Sequence, residues 1–257
     1  MVVTSAEIAS FVGSFLWPLT RIGAALAMLP FFGAMTLPLR VRVLLAFGLT
    51  LLLWPGLPAM PTADPLGPDG MVLVAEQVVI GVAMGMILQA AFGAVVFGGQ
   101  AIANSMGLGF ASMADPQNGT QVPILSQFFT IMVTLLFLAA DGHLVLLRML
   151  SLSFETLPVG GGLPSGDAFA RLARLGGLLI AGGLMLSLPV IVATLMTSVA
   201  FGVVSRTAPQ LNLFSIGFPA SLVVGFAALL FTIPHVLART ASLFDASFAE
   251  LAVFLGS

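Results

Sequence analysis

The chain has 257 residues, 59% of them hydrophobic and only 7% charged, with a mean hydropathy of +1.16 and a formal net charge of −2. Soluble domains carry about 25% charged residues, so a water-facing surface of ordinary size is excluded. There is no Lys and the eight basic residues are scattered Arg, which leaves no basic face for nucleic acid; zero Cys removes disulfides, thiolate catalysis and cysteine-held metal sites together.

A bilayer core is about 30 Å thick and takes about 20 apolar helical residues to span, and on that measure the sequence predicts roughly six long segments. The first, Ile8 to Phe32, carries Arg21 and two prolines and is preceded by no basic stretch, so a cleaved signal peptide is not expected. A tight basic turn, Leu37-Pro38-Leu39-Arg40-Val41-Arg42, leads into the second, Val41 to Leu57. Pro55 to Gly70, with Asp64 and Asp69, reads as an exposed acidic loop. The third segment, Met71 to about Ile102, opens with Glu76-Gln77; for these residues and for Arg21 a buried ion pair and a helix end fit equally well. The fourth is Val122 to about Leu147. A Gly/Pro loop, Pro158 to Asp167, then marks the organisational boundary between the first four segments and the last two. Those are Leu175 to Ser205 and Leu213 to Leu237, followed by a short amphipathic tail, Leu243 to Leu255. Between Arg174 and Arg239 the single fixed charge is Arg206.

Strict alternation of these segments puts Arg40, Arg42 and Arg206 on one side and Arg148, Arg171, Arg174 and Arg239 on the other. That is no positive-inside bias. Either one segment does not cross, or the chain's final setting is not an ordinary bilayer. Segments well beyond 25 residues allow tilt or extension out of a membrane. Small residues at helix-packing spacing, Gly81-x-x-x-Gly85 and the run Ala101, Ser105, Gly109, are candidates for close backbone approach.

The most unusual stretch is Gly107 to Pro123, apolar and Gly-rich at first, then a polar turn region with Asp115-Pro116 and Asn118-Gly119. Irregular, partly apolar backbone beside membrane segments is tolerated where protein or a water-filled path surrounds it, so this loop is expected to line or block something. Gly107 to Ser112 imitates a dinucleotide fingerprint but follows no strand and ends in Ser. Asp141-Gly142-His143 sits in an apolar segment, where ionisable groups are functional suspects. Two His with no metal-ligand spacing and no Gly-x-Ser-x-Gly elbow instead favour a packing or helix-end pair, and no enzyme is expected. Ser205 to Pro219 reads as a helical hairpin tip, with Pro209 breaking the helix, Ser205, Asn212 and Ser215 able to cap, and Arg206 available to headgroups or an acidic partner.

Taken together these stretches resemble the FliR family of flagellar export-gate proteins and its injectisome relatives, over nearly the entire chain. The resemblance rests on Pro30-Phe-Phe-Gly33 then Pro38-x-Arg40-x-Arg42, on Ala114-Asp-Pro-Gln-Asn-Gly119 with Pro123 beyond, on Leu136-Phe-Leu then Gly142-His143, and on the long Arg206-x-Ala-Pro-Gln-Leu-Asn-x-Phe-Ser-Ile-Gly-Phe-Pro219. It implies an all-α membrane protein of helical hairpins, with a FliP-like part over 1–166 and a FliQ-like hairpin plus tail over 167–257. It also implies a bacterial inner-membrane, basal-body location and assembly with FliP and FliQ-like subunits, beside FlhA- and FlhB-type components, into a gate for unfolded secreted proteins. The family's plug loop maps onto 107–119, giving Gly107, Gly109, Phe110, Met113, Asp115 and Pro116 as gate residues. Arg206, Pro209, Gln210 and Asn212 become subunit-interface residues, and no cofactor or metal is implied. A small-molecule secondary transporter and an intramembrane enzyme built on Asp141 and His143 are the competing classes; the transporter's usual second copy of a broken-helix motif is not visible.

Overall fold

The computed structural model describes residues 5–30, 32, 38–109, 124–207 and 213–256. Among them there is no strand. Helix α1 is Ser5–Met28, α2 is Leu39–Leu53 with a 3-10 turn at Trp54–Gly56, α3 is Pro68–Ser105, α4 is Ile124–Ala139, α5 is Gly142–Thr156, α6 is Gly166–Thr207 and α7 is Leu213–Leu255. The chain is an all-α membrane protein.

The expected count of six long segments is not reached among the described residues. Four stretches are long and apolar enough to cross a membrane, Leu39–Gly56, Pro68–Ser105, Gly166–Thr207 and Ile216–Leu255, and the bent pair α4 and α5 makes a possible fifth. The described apolar part of the first segment, Val12–Met28, is shorter than the others. The fourth predicted segment is broken. The axis turns by 67° between Ala139 and Gly142, because Asp141 adopts a left-handed φ of 54° and its carbonyl starts a new helix by accepting the amides of Leu144 and Val145 at 2.9 and 3.2 Å. The separate tail is also corrected: Leu243 to Leu255 continues α7 without a break. Residues 238–242 contain no Gly or Pro, and Thr240 Oγ1 donates back to the Val236 carbonyl, as a helix-interior Thr does.

The chain divides into two compact units interleaved in sequence. The first comprises Met1–Ala90, Ala140–Leu175 and Asp245–Ser257; the second comprises Ala91–Ala139 and Gly176–Phe244. The Pro158–Asp167 loop lies within the first unit. There, Trp17, Ile22, Leu29, Ile80, Met84 and Leu150 are buried, and α3 lies directly on α1. A Cβ on Gly81 would collide with the Arg21 carbonyl and sit 2.9 Å from Ala24 Cβ, and one on Gly85 would sit 2.6 Å from the Ala25 carbonyl. The predicted Gly81/Gly85 spacing is therefore a backbone-to-backbone contact, the arrangement that gives apolar helices dispersion contact where water supplies no driving force. Of the second small-residue run, Gly109 lies beyond the end of α3 at Ser105, whose hydroxyl donates to the Ile102 carbonyl at 2.8 Å.

In the second unit the same device joins α3 to α6. A Cβ on Gly183 would lie 2.5 Å from the Ala94 carbonyl and 2.7 Å from Phe97. Beside it Phe92, Phe137 and Phe244 bring three helices together with ring centroids 5.3, 5.1 and 5.2 Å apart. The tilted and edge-on geometry places ring edges on ring faces, the favoured arrangement for aromatic quadrupoles.

Candidate functional site

The expected gate begins where α3 stops, and the backbone shows why it stops there. Gly107 takes a φ of 83°, its amide donates to the Asn104 carbonyl at 3.0 Å, and the Leu108 amide reaches back to the Ala103 carbonyl at 3.0 Å. This pair of bonds around a left-handed glycine is a Schellman motif, which satisfies terminal carbonyls that would otherwise be orphaned. Gly107 is thus a helix terminator by geometry. Gly109 follows against Asn104, whose Oδ1 lies 3.1 Å from where a Cβ would be.

Two contacts fix the stems on either side of this stretch. Met106 is fully buried and fills a notch on α7 left by Gly225, where an added Cβ would lie 2.5 Å from Met106 Cγ and 3.0 Å from its sulfur. Across the stems, the Ser126 hydroxyl of α4 donates to Gln100 Oε1 at 3.0 Å, and Gln100 Nε2 donates to Asn104 Oδ1 at 3.1 Å. The sequence reading missed Met106, Gln100, Asn104 and Ser126. Three polar residues flanking an apolar loop were the available signal. Of the predicted gate residues, Phe110, Met113, Asp115 and Pro116 lie outside the described residues, as do Pro209, Gln210 and Asn212 of the predicted interface. Arg206 is exposed in the last turn of α6, where a cation complements the negative end of the helix dipole.

A second constellation, in the first unit, selects the partners of Arg21. Its guanidinium is fully buried; Nε donates to Gln77 Oε1 at 2.8 Å, one terminal nitrogen to the Ser153 carbonyl and hydroxyl at 2.6 and 3.1 Å, and the other to the Leu157 carbonyl at 2.8 Å. The Phe154 ring lies beneath it, 4.2 Å from ring centroid to Cζ. Of the two alternatives left open by the sequence, the contacts are those of a helix end. Arg21 caps the carbonyl end of α5, as the planar five-donor fork of Arg suits, and Glu76, beside Gln77 on α3, keeps one oxygen, Oε2, buried without a hydrogen-bond partner. This cluster ties α1, α3 and the end of α5 together.

Asp141 is exposed at the start of α5 and makes no side-chain capping bond, and His143 is half-buried with Nδ1 unpartnered. Among the described residues no three of His, Asp and Glu come close enough to hold a metal ion.

Comparison with known proteins bears on this architecture along nearly its whole length. The family model described as bacterial export proteins, family 1, matches residues 12–247. The flagellar biosynthetic protein FliR of Pectobacterium carotovorum subsp. carotovorum is 38% identical over 251 residues, covering 98% of this chain and 96% of the relative. The protein of the same name from Escherichia coli strain K12 is 36% identical over 250 residues, covering 97% and 95%, and that of Aquifex aeolicus is 30% identical over 258 residues, covering 99% and 97%.

Proposed function

This chain belongs to the bacterial export proteins, family 1, and on that premise we propose that it is a core subunit of the flagellar export gate, joining FliP and FliQ-like subunits in a channel for unfolded secreted proteins. The supporting observation is helix length that one bilayer is too thin to cover. Helices α6 and α7 have 42 and 43 residues, and at 1.5 Å per residue each rises more than about 60 Å, twice the hydrocarbon thickness of about 30 Å. Exposed apolar side chains run along part of that length, over about 35 Å from Ile180 through Leu188 and Leu195 to Val203 on α6 and about 12 Å from Val223 to Phe231 on α7. Protein surfaces of similar chemistry suit such helices, and sister subunits supply them.

Within that reading, residues 1–166 are the FliP-like part and 167–257 the FliQ-like hairpin and tail, and the hairpin docks FliQ-like neighbours through Arg206, Pro209, Gln210 and Asn212 at its tip. The stretch 107–119 seals the channel. An unfolded chain must pass while ions and protons must not, so a seal needs deformable apolar bulk, which Phe110 and Met113 provide, on a compliant Gly-rich backbone. The location is the inner membrane at the flagellar base, beside FlhA- and FlhB-type components. Deleting Phe110 to Met113 in cells that make the whole apparatus tests the reading: ion leakage across the inner membrane should rise while the complex still assembles. Unchanged conductance with normal assembly contradicts the seal.

A further inference from the structure

The connection between α2 and α3 ends in a rigid tip. Asp64-Pro65-Leu66-Gly67 is a β-turn: the Gly67 amide donates to the Asp64 carbonyl at 3.0 Å, with Pro in the second position and Gly in the fourth, where such turns prefer them. Asp64 Oδ1 accepts the Leu66 amide at 3.1 Å, a second lock on the same residue. Helix α3 then starts on the turn itself, since the Gly67 carbonyl accepts the Met71 amide at 3.1 Å. Gly70 presses against it: an added Cβ would lie 2.8 Å from Pro65 Cα and would collide with the Asp64 carbonyl. So held, the tip presents Leu66 with 87% of its surface exposed, and Met71 and Val72 follow on the first turns of α3 at 66% and 59%.

Lipid tails cannot cover this surface. From Leu57 to Gly67 the backbone is neither helix nor strand, and Pro58, Ala59, Thr62 and Asp64 are exposed along it; irregular backbone facing acyl chains does not occur in the hydrocarbon. Nor does α3 need its first turns there: the stretch from Val78 to Ser105 carries no charge and rises about 40 Å, more than the hydrocarbon thickness of about 30 Å. Anionic headgroups are a poor match too. The charges nearest in sequence are Asp64 and Asp69, both exposed, and no basic residue occurs between Arg42 and Arg148. What complements the surface is a protein with an apolar pocket rimmed by Lys or Arg, since apolar patches bordered by polar groups mark protein contacts. Docking there buries apolar area at little entropic cost, because the turn is already ordered.

We propose that the Leu66 tip, with Met71 and Val72 behind it, is a docking surface for a protein partner whose apolar pocket has a basic rim, Leu66 being the anchor. The surface stands on its own geometry and charge, independently of which subunits form the gate. Benzoylphenylalanine in place of Met71, with Leu66 intact, is a photo-crosslinker for the full chain in its natural cells, and the same group in place of the exposed Pro58 is the control. Irradiation should give one protein adduct from position 71 and none from 58, and mass spectrometry should place the crosslink in a partner segment flanked by Lys or Arg. Leu66→Ser should lower the adduct yield severalfold. So should Asp64→Asn combined with Asp69→Lys, which keeps an oxygen for the turn and reverses the local charge. Phospholipid adducts, no adduct at all, or a protein adduct whose yield ignores both changes would overturn the proposal. An adduct that persists in cells lacking the FliP- and FliQ-like subunits assigns the surface to another protein and leaves the proposal standing; failure of the gate reading would show in co-purification instead.

Discussion

Replacing Arg21 by Met removes one of the most heavily bonded side chains in the first unit and keeps most of its apolar stem volume. Four acceptors lose their donor: Gln77 Oε1, the Ser153 carbonyl, the Leu157 carbonyl and the Ser153 hydroxyl, which still donates to the Leu150 carbonyl. A buried acceptor left unsatisfied costs about 1–3 kcal/mol, the Leu157 oxygen less because it is only partly buried, so the expected loss is about 3–5 kcal/mol. Neutral hydrogen bonds between membrane helices average only about 0.6 kcal/mol, which sets the comparison: Gln100→Leu, removing the stem clasp of α3 and α4, should cost far less. Arg21→Lys should fall between, since one ammonium cannot serve acceptors spread across two helices in the way a planar fork does. Unfolding by sodium dodecyl sulfate in mixed micelles gives these differences directly. Equal, small losses for Arg21→Met and Gln100→Leu would refute the claim that the Arg21 cluster holds α1, α3 and α5 together.

Gly183→Leu, which drives a branched side chain into the Ala94 carbonyl and Phe97, should separate α3 from α6 and destabilise by at least about 1–3 kcal/mol on the same titration; wild-type stability would mean the close approach is not maintained in solution. Gly107→Ala should cost about 1–2 kcal/mol, because an L-residue is strained at that positive φ, and hydrogen exchange should show the last turn of α3 fraying; unchanged protection would contradict the Schellman stop. His143→Gln should leave motility and export of flagellar subunits intact, since among the described residues His143 belongs to no cluster that could hold a metal ion. A collapse of export with normal protein levels would restore a proton-relay role.

Class and packing devices were legible in the sequence because they depend on composition and short spacing: Gly81 and Gly85 could be paired from four-residue spacing, and the length of the apolar runs required membrane helices. The break at Asp141 was not legible. An apolar run looks the same whether or not one residue turns left-handed within it, and Asp141-Gly142 carried the signal only as a weak turn pair. The continuity of α7 was hidden for the opposite reason, since Arg239 and Asp245 look like a boundary although nothing in 238–242 interrupts a helix. Arg21 was visible as an anomaly, but its partners Ser153 and Leu157 lie more than a hundred residues away, a distance no local pattern encodes. The irregular stretch after Gly107 and the hairpin tip at Ser205 to Pro219 were legible from their turn chemistry, while their gate and interface roles came only from the family resemblance. The stems of the first stretch acquired a physical account from Gly107, Met106 and Gln100.

The central claim is that this chain functions as one subunit of an assembly with FliP and FliQ-like proteins, and native mass spectrometry after co-expression of the three tests it most directly. The account predicts one stable complex containing both partners and normally a single copy of this chain, with the chain poorly behaved in detergent when made alone. A stable, monodisperse lone chain that binds neither partner would contradict the export-gate reading and favour a transporter.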